Sequence, residues 1–238
     1  MTTQQQCISI VGAAEGSWFN AVDRRYVASF ANANSGLSFG TFQFDVATNI
    51  QGQTAFRDIL ARAVANKTID QTTATRLYGG ASKRNAKVHL AAVDVAVINQ
   101  LLGAQTAKTI INFADMQRAA TVVNMIDGMI SKAAQAWVAR TNSAPILTPG
   151  GVANLRLFAY LLASLNRYPA SEKTFQDWLE GKKVQTPGAP AGGWQLAAPP
   201  TVDQMHAFFR SLRIWDGTQG NYQYLRDRLD PTLARLGA

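Results

Sequence analysis

Glutamate is rare in this chain: Glu15, Glu172 and Glu180 are the only three among 238 residues. Glu172 and Glu180 flank a short polar segment, where solvation or ion pairing is the expected role. Glu15 sits differently. It closes an apolar stretch of helical spacing (Cys7, Ile8, Ile10, Val11, Ala14), precedes Gly16, and leads into Trp18 and Phe19. Apolar walls disfavour the charged form of a carboxyl group, which moves its pKa up toward the range of a general acid. Glycoside cleavage needs such a donor for the departing sugar oxygen. A second cluster follows at Gly36-Leu-Ser38-Phe-Gly40-Thr41-Phe-Gln43-Phe-Asp45. Here Phe39, Phe42 and Phe44 are expected to bury one face. Ser38, Thr41, Gln43 and Asp45 would then present hydrogen-bonding groups toward a cleft, and the glycines would permit close approach to a polysaccharide.

Other chemistries find less footing. Gly36-Leu-Ser38-Phe-Gly40 has the form of a nucleophile elbow, but that motif should follow a buried parallel strand and open a helix. No alternating β/α pattern surrounds it. His89 and His206 are the only histidines and stand far apart, and Cys7 is the only cysteine, so zinc-ligand spacing is missing. No metal and no cofactor is expected.

The elements that must position these residues follow from periodicity. Gln4 to Ala14 reads as a short helix, and Tyr26 to Asp45 as a small hairpin or irregular β-wing with turn residues at Asn32-Ala-Asn-Ser-Gly36. From Thr54 onward the pattern is helical. The run from Lys87 to Leu102 is apolar on most faces and is expected to be a buried central helix. Long helices are predicted at Asp115 to Arg140 and Val152 to Arg167, with shorter ones around Phe175 to Leu179 and from Thr201 to Leu212. Thr201 supplies the N-cap chemistry of the last of these. Helix is also predicted from Asn221 to Leu236, interrupted at Pro231. The fold class expected is therefore α+β, mostly α: a helical body with a small hairpin wing near the N-terminus. The stretch at 186–200, rich in Pro and Gly, reads as a connector to a C-terminal helical layer on one single domain spanning 1–238.

Composition narrows the partner without naming it. The formal net charge of +8 favours anionic partners such as nucleic acid, acidic lipid or bacterial cell wall. The basic residues are dispersed, as in Ser82-Lys83-Arg84, with no aromatic-interleaved basic groove of the kind single-stranded nucleic acid prefers, so no nucleic-acid partner is expected. A single cysteine excludes an intrachain disulfide and fits folding in a reducing cytoplasm. Met1-Thr-Thr-Gln-Gln-Gln lacks the charged and apolar regions of a secretory signal, and no apolar run approaches a bilayer span. A monomer without a transmembrane segment, made in the cytoplasm and carried to its target by other machinery, is expected.

Taken together, Glu15-Gly16 and the wing from Ser38 to Asp45 resemble the lysozyme superfamily. There the catalytic glutamate closes the first helix of the active-site lobe, and the wing carries a Gly-x-x-Gln or a Thr/Ser-x-Gly element. Gly40-Thr-Phe-Gln43 followed by Phe44-Asp45 is similar to the first pattern, found in goose-type lysozymes and lytic transglycosylases. Glu15-Gly16, Asp23 and Ser38-Phe-Gly40 are similar to the second, found in phage-type endolysins. The similarity covers about the first 50 residues, and the interval from Asp23 to Ser38 is longer and richer in Asn than in phage-type enzymes. The resemblance implies a lysozyme-like muramidase acting on bacterial peptidoglycan, with Glu15 as general acid and Asp23 or Asp45 as the second carboxylate. Ser38, Thr41, Gln43 and Tyr26 would bind substrate. An endolysin or a secreted effector would both fit. Alternatives are a lytic transglycosylase, a chitosanase or chitinase on the same fold, and a non-enzymatic basic helical binding module; chitosan, being cationic, would be repelled by the +8 charge.

Overall fold

The computed structural model describes residues 8–10, 12, 24–30, 34–142, 152–167, 171–198, 200–212, 227, 229–231 and 233–234. The protein is mostly helical, with one small two-stranded antiparallel sheet among the described residues. Two compact units divide the chain. One comprises Ser17–Arg118; the other combines Met1–Gly16 with Ala119–Ala238.

In the unit formed by Ser17–Arg118, strands β1 (Ser38–Phe39) and β2 (Phe44–Asp45) pair with Ser38 opposite Asp45 and Phe39 opposite Phe44. A bridge from Ser29 to Ser38 adds a third short piece of backbone. Helix α1 (Ile50–Ala65) follows directly. Asn49 caps it by accepting from the Gly52 N–H at 2.9 Å, and its buried stripe Ala55, Phe56, Ile59, Leu60 and Ala63 has the 3–4 spacing of one helix face. Helix α2 (Gln71–Ala81) starts at Asp70, whose carboxylate accepts from the Thr73 N–H at 2.6 Å. That bond holds the Asp70 carboxyl below its ordinary pKa.

The predicted central helix is not one helix. It is two, α3 (Ala86–His89) and α4 (Ala92–Gly103), separated by extended backbone at Leu90 and Ala91. Leu90 drops onto Gly80, where a Cβ would stand 2.5 Å from the leucine Cδ2. Asp94, buried at the start of α4, pairs with Arg76 and accepts from the Ala91 N–H, so the second helix nucleates on its own carboxylate. Val88 and Val93, expected inside, are 67% and 65% exposed. A run apolar on most faces carries little period to say which side is in.

Helix α5 (Gln105–Thr141) is 37 residues long, and the division between the units falls within it, after Arg118. In the other unit, α6 (Val152–Arg167) has the predicted bounds. Helix α7 (Glu172–Leu179) and helix α8 (Val202–Ser211) share an aromatic core, in which Trp178 stacks on Phe208 with centroids 3.8 Å apart and planes 3° from parallel. Thr201 and Gln204 form the capping box of α8: the threonine Oγ1 accepts from the Gln204 N–H, and the glutamine Oε1 accepts from the Thr201 N–H. The stretch rich in Pro and Gly lies inside this unit. It is closed by a Val184–Trp194 bridge and tied to α8 by the Trp194 indole, which donates to Ser211 Oγ at 2.8 Å. Residues 227, 229–231 and 233–234 are helical, within the predicted C-terminal segment.

Candidate functional site

The wing is organised by a carboxylate from α5. The backbone N–H of Thr41 donates to Asp115 Oδ1 and Oδ2 at 3.0 and 3.1 Å, and the Thr41 hydroxyl donates to Oδ2 at 2.8 Å. A longer bond from the Phe42 N–H reaches Oδ1 at 3.4 Å. Asp115 is 1% exposed, and so is Thr41. Burial pushes the Asp115 carboxyl above its ordinary pKa, against the opposing pull of these donors and of the Arg25 charge. Sequence reading missed this residue. Its signal was position: Ile111, Asp115, Ala119 and Val122 repeat at helical spacing, so the carboxylate falls on an otherwise apolar stripe.

The turn between the strands departs from simple alternation. Gly40 and Gln43 both take left-handed backbone, with φ of 77° and 51°. Gln43 donates from its N–H and from its Nε2 to the Gly40 carbonyl, both at 3.3 Å, which folds the half-buried side chain back over the turn. A Cβ on Gly40 would lie 2.7 Å from Phe44 Cδ2 and 3.2 Å from Asp115 Oδ1. Gly40→Ala therefore combines a strained dihedral with a ring clash. It should cost about 2 kcal/mol in urea unfolding, of which the left-handed backbone accounts for roughly half or more.

Asp45 closes the base of the hairpin. Its Oδ1 accepts from the N–H groups of Gly36 and Ala47 at 2.8 and 2.9 Å, and its Oδ2 accepts from the Thr48 hydroxyl at 2.8 Å. Ser38 is 3% exposed. Its N–H and C=O pair with Ser29 at 2.9 and 2.8 Å. No helix opens after it, as a nucleophile elbow would require; the chain runs instead into the 40–43 turn. Beneath the wing, Phe39 meets Phe44 and Phe56 at 6.1 Å, extending its core into α1.

Tyr26 stands beside the wing, since the neighbouring Arg25 carbonyl accepts from the Gly40 N–H at 2.9 Å. Its hydroxyl donates to Asn112 Oδ1 at 2.7 Å, while Arg25 and Lys108 approach its ring at 5.0 and 5.2 Å. The structure thus brings Tyr26, Ser38, Thr41, Gln43 and Asp45 into one assembly. It turns Ser38 and Thr41 inward, leaving Tyr26 and Gln43 partly exposed. Glu15 and Asp23, with Trp18 and Phe19, lie outside the described residues. Among the described residues no three His, Cys, Asp or Glu side chains are grouped to hold a metal ion, and no helix is long and apolar enough to cross a membrane. Compared with known proteins, the chain matches no family model, no curated protein and no solved structure.

Proposed function

We propose that this protein is a peptidoglycan-cleaving glycoside hydrolase of lysozyme type, built as a lysozyme-like helical body with a β-wing. Glu15 serves as its general acid. The observation that carries this reading is the wing itself. The Gly40-to-Gln43 element forms a tight turn at the tip of a two-stranded hairpin, clamped on one side by Asp115 and closed at its base by Asp45. A turn held at both ends is the preorganised edge that substrate positioning demands. The +8 charge further suits an acidic cell-wall polymer.

In this reading Glu15 protonates the glycosidic oxygen between two amino sugars as the bond breaks. Gln43 and Tyr26, two partly exposed members of the wing assembly, contact the glycan. Ser38, Thr41 and Asp45 hold the hairpin that carries them. Both Asp45 oxygens are engaged by Gly36, Ala47 and Thr48, which leaves Asp23 as the base that activates water. The same observation favours a second reading, lytic transglycosylation, in which a substrate hydroxyl attacks and no second carboxylate is needed.

Glu15→Gln keeps the side-chain shape and removes the proton. The variant should retain its fold by circular dichroism and lose about 10²–10⁴-fold in the rate of clearing permeabilised bacterial cells, the usual contribution of a general acid. A wild type that clears nothing, or a glutamine variant that clears equally well, would sink the assignment. Mass spectrometry of the released muropeptides separates the two readings: reducing ends mark hydrolysis, anhydro-sugars mark transglycosylation.

A further inference from the structure

The corner at residues 82–96, where α2 gives way to α3 and α4, has properties that the wing chemistry does not use. Val88 and Val93 are 67% and 65% exposed, and Ala91, Ala92 and Ala96 are exposed with them. The corner is firmly built. The Asn85 N–H donates to the Ser35 carbonyl at 2.9 Å, the Leu37 N–H donates to the Ala81 carbonyl at 3.0 Å, and Leu90 is buried against Gly80. The valines cannot be withdrawn without breaking these ties. Lys83, Arg84 and Lys87 of the same corner are exposed too, and none of the three is ion-paired with a described residue. The carboxylate of the corner, Asp94, is buried and occupied by Arg76. Its remaining titratable group is His89, exposed at the end of α3.

We propose that this corner is a peripheral docking surface for an anionic lipid bilayer. Three exposed cations with no ion pair among the described residues select a negatively charged partner. Two rigidly projected valines find a favourable environment among acyl chains but none on a soluble polyanion or nucleic acid. The two features together fit a lipid surface, with the valines entering the interfacial region and the basic side chains resting at headgroup level. The contact lies on the membrane and does not span it. It is independent of the glycosidase reading.

The test is co-sedimentation of the full chain with vesicles of phosphatidylcholine alone and of phosphatidylcholine containing one third phosphatidylglycerol. Wild type should bind the anionic vesicles only, and more weakly as salt rises. Lys83→Gln with Arg84→Gln and Lys87→Gln should weaken binding roughly a hundredfold, at about fivefold per basic residue. Val88→Ser with Val93→Ser should weaken it about tenfold through lost apolar burial. All five side chains are exposed, so both variants should keep the wild-type melting curve. Equal binding to neutral vesicles, or no binding to either kind, would overturn the proposal. Full retention of binding in the serine variant would overturn it too, by leaving only non-specific attraction. So would a wild-type dimer in sedimentation velocity that the serine variant dissolves, because the occupant would then be a second copy of this chain.

Discussion

Replacing Asp115 with alanine should destabilise the unit that carries the wing by about 3 kcal/mol, because it strands the Thr41 N–H, the Thr41 hydroxyl and the Phe42 N–H in a buried site. Hydrogen exchange should accelerate at Gly40 to Gln43 before it does in α1. If the cell clearing proposed above survives in the variant with those amides fast, the clamp is not what positions the turn. The asparagine variant carries a second expectation, in pH. Burial raises the Asp115 carboxyl above 3.8 in the folded chain. A group that holds its proton more tightly when folded favours folding fully below the unfolded value. That contribution is lost as pH rises through the folded one. The advantage of wild type over Asp115→Asn should therefore shrink with rising pH across that window, in urea unfolding at each pH. An advantage that grows instead would mean that the hydrogen-bond donors outweigh desolvation.

The second large effect lies in the aromatic core of the other unit. Trp178 is fully buried, lies flat on Phe208, and meets Phe209 edge-on at 6.2 Å and 77°. Trp178→Ala should cost about 3–5 kcal/mol, the sum of lost transfer energy and an unfilled cavity. Phenylalanine at the same position should recover most of it. The indole N–H that it deletes is buried without a hydrogen-bond partner among the described residues, so losing it removes a penalty rather than a bond. Denaturant unfolding of the two variants checks this. Equal destabilisation by alanine and phenylalanine would show that the indole edge, not the ring area, holds the core.

Sequence reading succeeded where one rule applied without competition. Val152–Arg167 has a clean apolar stripe, and its bounds agree with the helix; Thr201 caps the helix predicted from Thr201 to Leu212, with Gln204 completing a capping box that was not read from the sequence. The wing was placed from its phenylalanines and its turn residues, and the strands lie inside the predicted segment. Side-chain direction within it was not legible. In a continuous strand residues 39 and 41 share one face and residues 42 and 44 the other, so strict alternation cannot bury Phe39, Phe42 and Phe44 together. Left-handed Gly40 and Gln43 break it, and Thr41 bonds to Asp115. Ser38 is buried because the Ser29 backbone covers its edge, a contact formed across nine residues of chain. The Asp115 clamp spans 74 residues, beyond the reach of any local pattern. The break at Leu90 had the opposite difficulty. Most faces of that run are apolar, and Gly80, the residue that receives Leu90, belongs to another helix.

The order in which the two units draw on the chain has a consequence for how the molecule is made. Ser17–Arg118 is one uninterrupted segment, whereas its companion needs both Met1–Gly16 and Ala119–Ala238. On the ribosome the wing, its aromatic support and the Asp115 clamp emerge together and can fold as a block. The other unit must join residues from Ala119 onward to the earlier Met1–Gly16 across the whole of Ser17–Arg118, a closure whose entropic cost grows slowly with length. A chain emerging from the ribosome thus completes the wing and its Asp115 clamp before the residues from Ala119 onward on which the companion unit also draws.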